Sequence, residues 1–143
     1  MARIAVAVAL ALLLVALSCH DSDPAPVIPD GPRTFLFGVR GLSEAEGRFV
    51  AVTSDPDVLA RLEAELARPP AERSLHIHGP IERGSEGDNL GWHWRFVPDA
   101  WDVVEMSTEV CDGTPPMVEA DVDAWVKDVG AFCPWASFVE EEL

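Results

Sequence analysis

Long apolar segments and basic residues are both scarce in this sequence of 143 residues. The longest apolar run, residues 4–17, contains 14 residues, whereas a helix needs about 20 to cross a bilayer. Ten Lys and Arg residues stand against 25 Asp and Glu residues, which gives a net charge of −15. Nucleic acid and anionic lipid surfaces are therefore poor partners. Cationic peptides, basic proteins and metal ions suit this charge better, with solubility alone as the alternative explanation.

Sequence signatures of several enzyme classes are also absent. The chain has no GxSxG elbow, no HExxH pair, no phosphate-binding glycine loop and no EF-hand spacing. It has three cysteines and no CxxC pair, the spacing at which zinc sites are commonly built. These absences favour a binding domain over an enzyme.

The first 19 residues have the pattern of an export signal. A short basic start at Arg3 precedes the apolar run, as in secretory signals. The run ends in the sequence VALSC, which resembles a bacterial lipoprotein signal in which Cys19 is lipidated and becomes the first residue. Ala16 stands where such signals prefer a larger aliphatic residue, and ordinary secretion with cleavage nearby is the alternative.

The composition predicts three segments. Residues 1–18 are the signal peptide, and residues 19–33 form a Pro-rich tether attached to the membrane through the lipid on Cys19. Residues 34–143 form a single domain. Without residues 1–18, nine basic residues face 25 acidic ones, a net charge of −16. We expect a cell-envelope lipoprotein on the periplasmic or outer face, or otherwise a secreted protein.

The hydrophobic pattern of the domain predicts an α+β fold. It indicates about five strands, mainly antiparallel, with two helices packed on one face. The predicted strands are residues 34–40, 48–53, 74–82, 92–97 and 101–110, and the helices start near residues 54–56 and 114–115. In the fifth strand, Val104, Met106 and Val110 are expected to point inward and Glu105 and Glu109 outward.

Cys111 and Cys133 could form a disulfide, a metal site or a reactive pair. A reactive thiol needs a depressed pKa and a nearby base, and no positive neighbour is evident in the sequence. If Cys19 carries lipid, the other two cysteines remain as a pair in an oxidising compartment. We predict a structural disulfide, which would stabilise the domain by roughly 3 kcal/mol.

Five polar residues on three predicted strands suggest a metal site. His76 and His78 alternate in one strand, His93 lies in the next, and Glu105 and Glu109 follow in the fifth. On neighbouring strands they would suit a divalent metal with an open position, as in hydrolases. The alternative is a solvated sheet face with no cofactor, because polar residues belong there and Arg95 would repel a cation.

Two tryptophans lie at the ends of predicted elements. Trp101 and Trp135 could be exposed contact residues, since aromatic side chains dominate binding hot spots. Packing in the core or at an edge is the alternative.

Several short motifs carry a family resemblance. They are LHIHGPI at residues 75–81, EVCD at 109–112 and CPWAS at 133–137. Residues 34–140 resemble small secreted proteins labelled calmodulin-binding proteins, the BP seventy-four N-terminal domain family. The resemblance implies the fold and export, and both cysteines match, but it implies no reaction. The pattern has a histidine where this chain has Arg95.

The predicted helices do not suit calmodulin, which grips basic amphipathic helices. Both helices carry more acids than bases. We therefore predict an exported, lipid-anchored acidic domain that binds a peptide, a protein or an envelope component. The alternative is a metal-binding protein or a metal-dependent hydrolase that uses the His and Glu set.

Overall fold

The structure, a computed structural model, describes residues 31–85 and 87–143. The predicted signal peptide, Cys19 and most of the tether lie outside the described residues. None of the helices in the described part has the length and apolar character needed to cross a membrane.

The first two strands form the predicted hairpin. β1 (Arg33–Val39) pairs antiparallel with β2 (Phe49–Thr53), and the short helix α1 (Glu44–Gly47) lies in the connection. Phe37 lies opposite Phe49 in the register, and the two rings stack with centroids 5.6 Å apart. Phe35, Leu36 and Phe37 are all buried, so both faces of β1 are covered. Aromatic cross-strand pairs of this kind stabilise a sheet.

A strand that the sequence pattern did not predict completes this sheet. β7 (Ser137–Glu142) pairs antiparallel with the other edge of β1, so the strand order is β2-β1-β7. Ser137 and Val139 are buried, whereas the strand ends in exposed glutamates. Because the strand ends in glutamates, its sequence lacks the apolar alternation that predicts a strand.

The first long helix, α2 (Pro56–Leu66), begins as predicted. The Asp55 side chain accepts hydrogen bonds from the backbone amides of Asp57 and Val58, and proline occupies the first helical turn. These contacts satisfy amides that have no partner inside the helix. Val58, Leu59 and Leu62 are buried against the core, as the helical spacing predicts.

The predicted third strand is two strands. β3 (His76–His78) pairs with β6 (Asp102–Val104), and β4 (Ile81–Arg83) pairs with β5 (Trp94–Phe96). Gly79 separates β3 from β4, and a Cβ atom there would lie 2.4 Å from the Trp101 Cβ. Only glycine allows the chains to approach this closely.

The prediction of a strand through residue 110 is wrong beyond Val104. Residues 106–108 have no regular structure, and a single 3₁₀ turn follows at Glu109–Cys111. Met106 and Val110, expected to point inward, are 85% and 74% exposed. Val104 lies opposite His76, the first residue of β3, so the backbone beyond β6 has no ladder to join.

The predicted second helix is also interrupted. It consists of α3 (Pro115–Ala120), α4 (Val122–Ala124) and one π-helical turn (Trp125–Val129). Gly130 ends it in the left-handed conformation, with φ of 78°, which glycine adopts at low cost.

Aromatic side chains dominate the core. The described residues contain seven strands in small antiparallel sheets and four short or medium helices. The fully buried aromatic residues of this core are Phe35, Phe37, Phe49, Trp94, Phe96 and Phe132. The predicted α+β class is confirmed, although five strands and two helices were too few.

Candidate binding site around Trp135

A disulfide joins the end of the irregular segment to the chain before β7. Cys111 and Cys133 are bonded, with Cα atoms 5.1 Å apart and a sequence separation of 22 residues. Beside the bridge, the Cys133 amide donates to the Cys111 carbonyl at 2.8 Å. The predicted disulfide is confirmed, and it fixes two chain segments that belong to no common sheet.

Asp112 adds a second connection between the same segments. Its Oδ1 atom accepts hydrogen bonds from the backbone amides of Gly113 and Trp135, both at 2.9 Å. The contact orients the chain at Trp135 directly after the bridge. The backbone that carries the Trp135 side chain is therefore held by the nearby disulfide and by this hydrogen bond.

A cleft of about 420 Å³ lies on one side of Trp135. Its other lining residues come from the start of β3 and from the segment after β6: Ser74, His76, Glu105, Met106 and Ser107. The cleft therefore combines two apolar side chains with a carboxylate, two hydroxyls and an imidazole. Its volume lies within the range of small-ligand sites.

A second cleft, of about 490 Å³, is also lined by Trp135. The loop after β1, the chain at Asp112 and the side chain of Met117 also line it. Trp135 is therefore common to the lining of the two clefts.

Apolar side chains are unusually exposed at these clefts. Met106 is 85% exposed, Met117 is 54% and Trp135 is 43%. We call these three side chains, with the lining carboxylates of Glu105 and Asp112, the Trp135 surface. Grouped exposed apolar side chains mark interaction sites more often than single ones.

Trp101, the other aromatic suggested as a contact residue, belongs to the core. It is 3% exposed, and its Nε1 donates to the Val52 carbonyl at 2.8 Å. Its ring meets Phe37 edge to face at 5.8 Å between centroids. Trp101 is therefore unavailable for surface contact, whereas Trp135 is accessible.

The acidic side chains of this region have no basic partner. Among residues 31–85 and 87–143, no ion pair involves Glu105 or Glu109, and both are exposed. Arg40 lines the second cleft, but its guanidinium donates to the Pro70 and Arg73 carbonyls. The uncompensated charge at the first cleft is therefore negative.

His76 occupies a different environment from the one expected. It is only 4% exposed, not on a solvated face, and its Nε2 lies 2.7 Å from Ser107 Oγ. Burial lowers the pKa of His76, and His78 lowers it further, while Asp112 opposes them. The lowered pKa favours a neutral imidazole at neutral pH.

His93 lies with a different set of residues. Its backbone amide donates to Glu119 Oε2 at 2.9 Å, and its Nδ1 contacts Glu119 Oε1. Burial alone would raise the pKa of Glu119, but the hydrogen bonds from His93 lower it overall. His93 therefore contacts Glu119 of α3, whereas His76 contacts Ser107.

The predicted metal ligands are not assembled as one group. In the described part of the chain, no three His, Cys, Asp or Glu side chains are placed to hold a metal ion. His76 contacts Ser107 and His93 contacts Glu119, while Glu105 and Glu109 lie in the irregular segment. A divalent metal at His76, His78, His93, Glu105 and Glu109 stays a prediction that metal analysis would test.

Sequence reasoning missed three residues of the site. The strand pattern predicts Met106 to point inward, and it gives no role to Ser107 or Met117. The Pro115-Pro116 pair before Met117 and the strand-breaking CDG sequence at residues 111–113 indicate an irregular region. They do not indicate which side chains it exposes.

Comparisons with known proteins identify the domain but no activity. A family model described as the BP seventy-four N-terminal domain matches residues 32–143. This match confirms the resemblance inferred from the histidine and cysteine motifs. A search of curated proteins gives no match, and a search of solved structures gives none.

Proposed function

The chain belongs to the BP seventy-four N-terminal domain family, and from this premise we propose that it is an exported, lipid-anchored domain that binds cationic, partly apolar peptide segments. The Trp135 surface is the binding site. The observation that carries the proposal is the exposure of Met106, Met117 and Trp135 at two clefts that are both lined by Trp135.

Apolar exposure supplies the first support. A tryptophan and methionines suit a peptide-binding surface, since tryptophan is enriched in hot spots and methionine adapts to different partners. Trp135 is held by the adjacent disulfide and by the Asp112 hydrogen bond. A ligand that binds where the backbone is already held loses less free energy to ordering the site.

Charge supplies the second support. Glu105 lines the first cleft and has no ion-pair partner in the part of the chain that the structure describes. The whole chain carries a net charge of −15. This field attracts positively charged ligands and increases their association rate at low salt.

Export and anchoring are supported by the use of cysteine. Cys111 and Cys133 are bonded to each other, and disulfides persist in oxidising compartments. Cys19 is then the one cysteine of the sequence left for lipid attachment, at the end of the signal-like segment. Mass spectrometry of the mature N-terminus tests this part, and an unmodified N-terminus at another residue contradicts it.

Peptide binding can be tested with three synthetic peptides of equal length. The first carries lysines and leucines, the second replaces the lysines with glutamates, and the third replaces the leucines with serines. We expect binding of the first peptide by fluorescence anisotropy, weakening from low to high salt because exposed charges are screened. Both substituted peptides should bind at least about tenfold more weakly, a difference of about 1.4 kcal/mol.

Each peptide checks a separate part of the proposal. Equal binding of the lysine and glutamate peptides would show that the acidic surface does not select the ligand. Equal binding of the leucine and serine peptides would exclude Met106, Met117 and Trp135 as anchors. Failure of all three to bind would contradict the proposed function.

A further inference from the structure

A serine hydroxyl and a histidine ring meet at the wall of the first cleft. Ser107 Oγ lies 2.7 Å from His76 Nε2, and both residues line the cleft. The pairing of β3 with β6 places them together, since His76 lies opposite Val104 and Ser107 follows three residues later. A nucleophile within hydrogen-bond distance of a base is the central geometric requirement of covalent acyl transfer.

We propose that Ser107 is a nucleophile, with His76 as its general base, that attacks carboxylic esters bound in the first cleft. This activity goes beyond peptide binding, and each of the two can fail without the other.

The reaction needs only the ester and water. Ser107 Oγ forms a bond to the ester carbonyl carbon while its proton passes to His76 Nε2. Cleavage of the bond to the alkoxy oxygen then releases an alcohol, which takes the proton from His76. Water attacks the acyl-serine with His76 again accepting a proton, the carboxylic acid leaves, and Ser107 recovers its hydrogen.

The surroundings of His76 suit a base that is neutral at rest. The residue is 4% exposed, and burial disfavours the charged ring before the reaction. Asp112 acts on the ring in the opposite direction, because its negative charge favours the protonated form. His78 adds to the effect of burial, so the pKa of His76 is lowered overall and the resting ring is neutral.

The cleft lining indicates the class of ester. Met106 and Trp135 provide apolar walls for an acyl chain, and Glu105 disfavours an anionic substrate. The volume of about 420 Å³ accommodates a small molecule. Neutral esters with short apolar acyl groups fit these features.

The direct test is labelling of the full-length protein with an alkyl fluorophosphonate, which bonds to an activated serine as fluoride leaves. We expect one adduct, mapped to Ser107 by peptide mass spectrometry and absent from S107A. Ser85→Ala is the matched control, because Ser85 is an exposed serine that lines neither cleft. It should be labelled at the wild-type rate.

Two further measurements separate a base from a structural hydrogen bond. His76→Gln retains a hydrogen-bonding group but cannot accept the proton, so labelling should slow by about 100-fold or more. Labelling of wild-type protein unfolded in urea should slow by a similar factor. This measurement provides the same comparison if H76Q does not fold. The absence of an adduct on Ser107 in the folded protein would overturn the proposal. Equal labelling rates in folded and unfolded wild-type protein, or in wild type and folded H76Q, would also overturn it.

Discussion

The aromatic core and the Trp135 surface are held in place by different interactions. In the core, the Phe49 ring lies within 6.2 Å of four other aromatic rings, measured between centroids. At the Trp135 surface, one disulfide and the hydrogen bonds of Asp112 hold chain that has no sheet partner. The first arrangement hides large apolar side chains from water, and the second exposes them.

The difference indicates what each region is for. Close packing in the core provides most of the stability, because buried apolar area is the largest favourable contribution to folding. A covalent bond allows the other region to keep its shape without burying its side chains. An exposed surface held in this way can bind a partner without first becoming ordered.

The largest expected effect is on the core. Phe49→Ala removes a ring that is fully buried among other rings, so we expect a loss of about 3–5 kcal/mol in the free energy of unfolding. Urea denaturation monitored by circular dichroism measures it. Phe138→Ala is the control, because Phe138 is only partly buried and contacts Arg40. Similar losses in both variants would remove the distinction between core and periphery.

Removal of the disulfide should have the next largest effect. Replacing Cys111 and Cys133 by serine should lower the free energy of unfolding by roughly 3 kcal/mol, since the unfolded chain loses its constraint. Peptide binding should also weaken in the folded fraction, because Trp135 loses the adjacent link. If native, unreduced wild-type protein instead contains alkylatable thiols at these positions, the exported and disulfide-bonded description is wrong.

The smallest expected effect is at an ion-pair cluster around Arg33, at the start of β1. Arg33 donates to Glu142 at 2.7 and 2.6 Å and to Glu63 at 2.7 Å. The hydrogen bonds from Arg33 lower the pKa of Glu142, against the opposing effect of burial. The native carboxylate is therefore favoured, and its stabilisation is present above the usual glutamate pKa of about 4.3.

This stabilisation should be lost as pH falls through the lowered pKa of Glu142. Arg33→Gln should reduce stability at neutral pH by about 1 kcal/mol, since both glutamates that Arg33 contacts are partly solvated. The difference from wild type should shrink in acid. Thermal unfolding from pH 7 to pH 3 measures it, and a difference independent of pH would contradict the assigned role of Glu142.

Local patterns with nearby partners could be predicted from the sequence. The β1–β2 hairpin pairs neighbouring segments, and the Asp55 cap satisfies amides two and three residues away. The disulfide followed from the number and placement of the cysteines. In each case the information lies in the residues themselves or close to them in the chain.

Features that depend on distant partners could not be predicted in this way. Residues 105–110 alternate like a strand, but β3 is too short to pair with them. β7 forms because β1 has a second edge with which it can pair. The acidic sequence of β7 does not indicate this pairing. The contact of His76 with Ser107 likewise depends on the pairing of β3 with β6, and the histidine pattern alone suggested a different cluster.

Peptide affinity in two matched variants tests the central claim most directly. Trp135→Ala and Leu90→Ser each remove an exposed apolar side chain, but Leu90 lines neither of the two clefts that Trp135 lines. We expect Trp135→Ala to weaken binding of the lysine–leucine peptide about 30-fold, near 2 kcal/mol, and Leu90→Ser to change it less than about twofold. Equal affinities in the two variants, with both folded, would contradict the assignment of the Trp135 surface as the binding site.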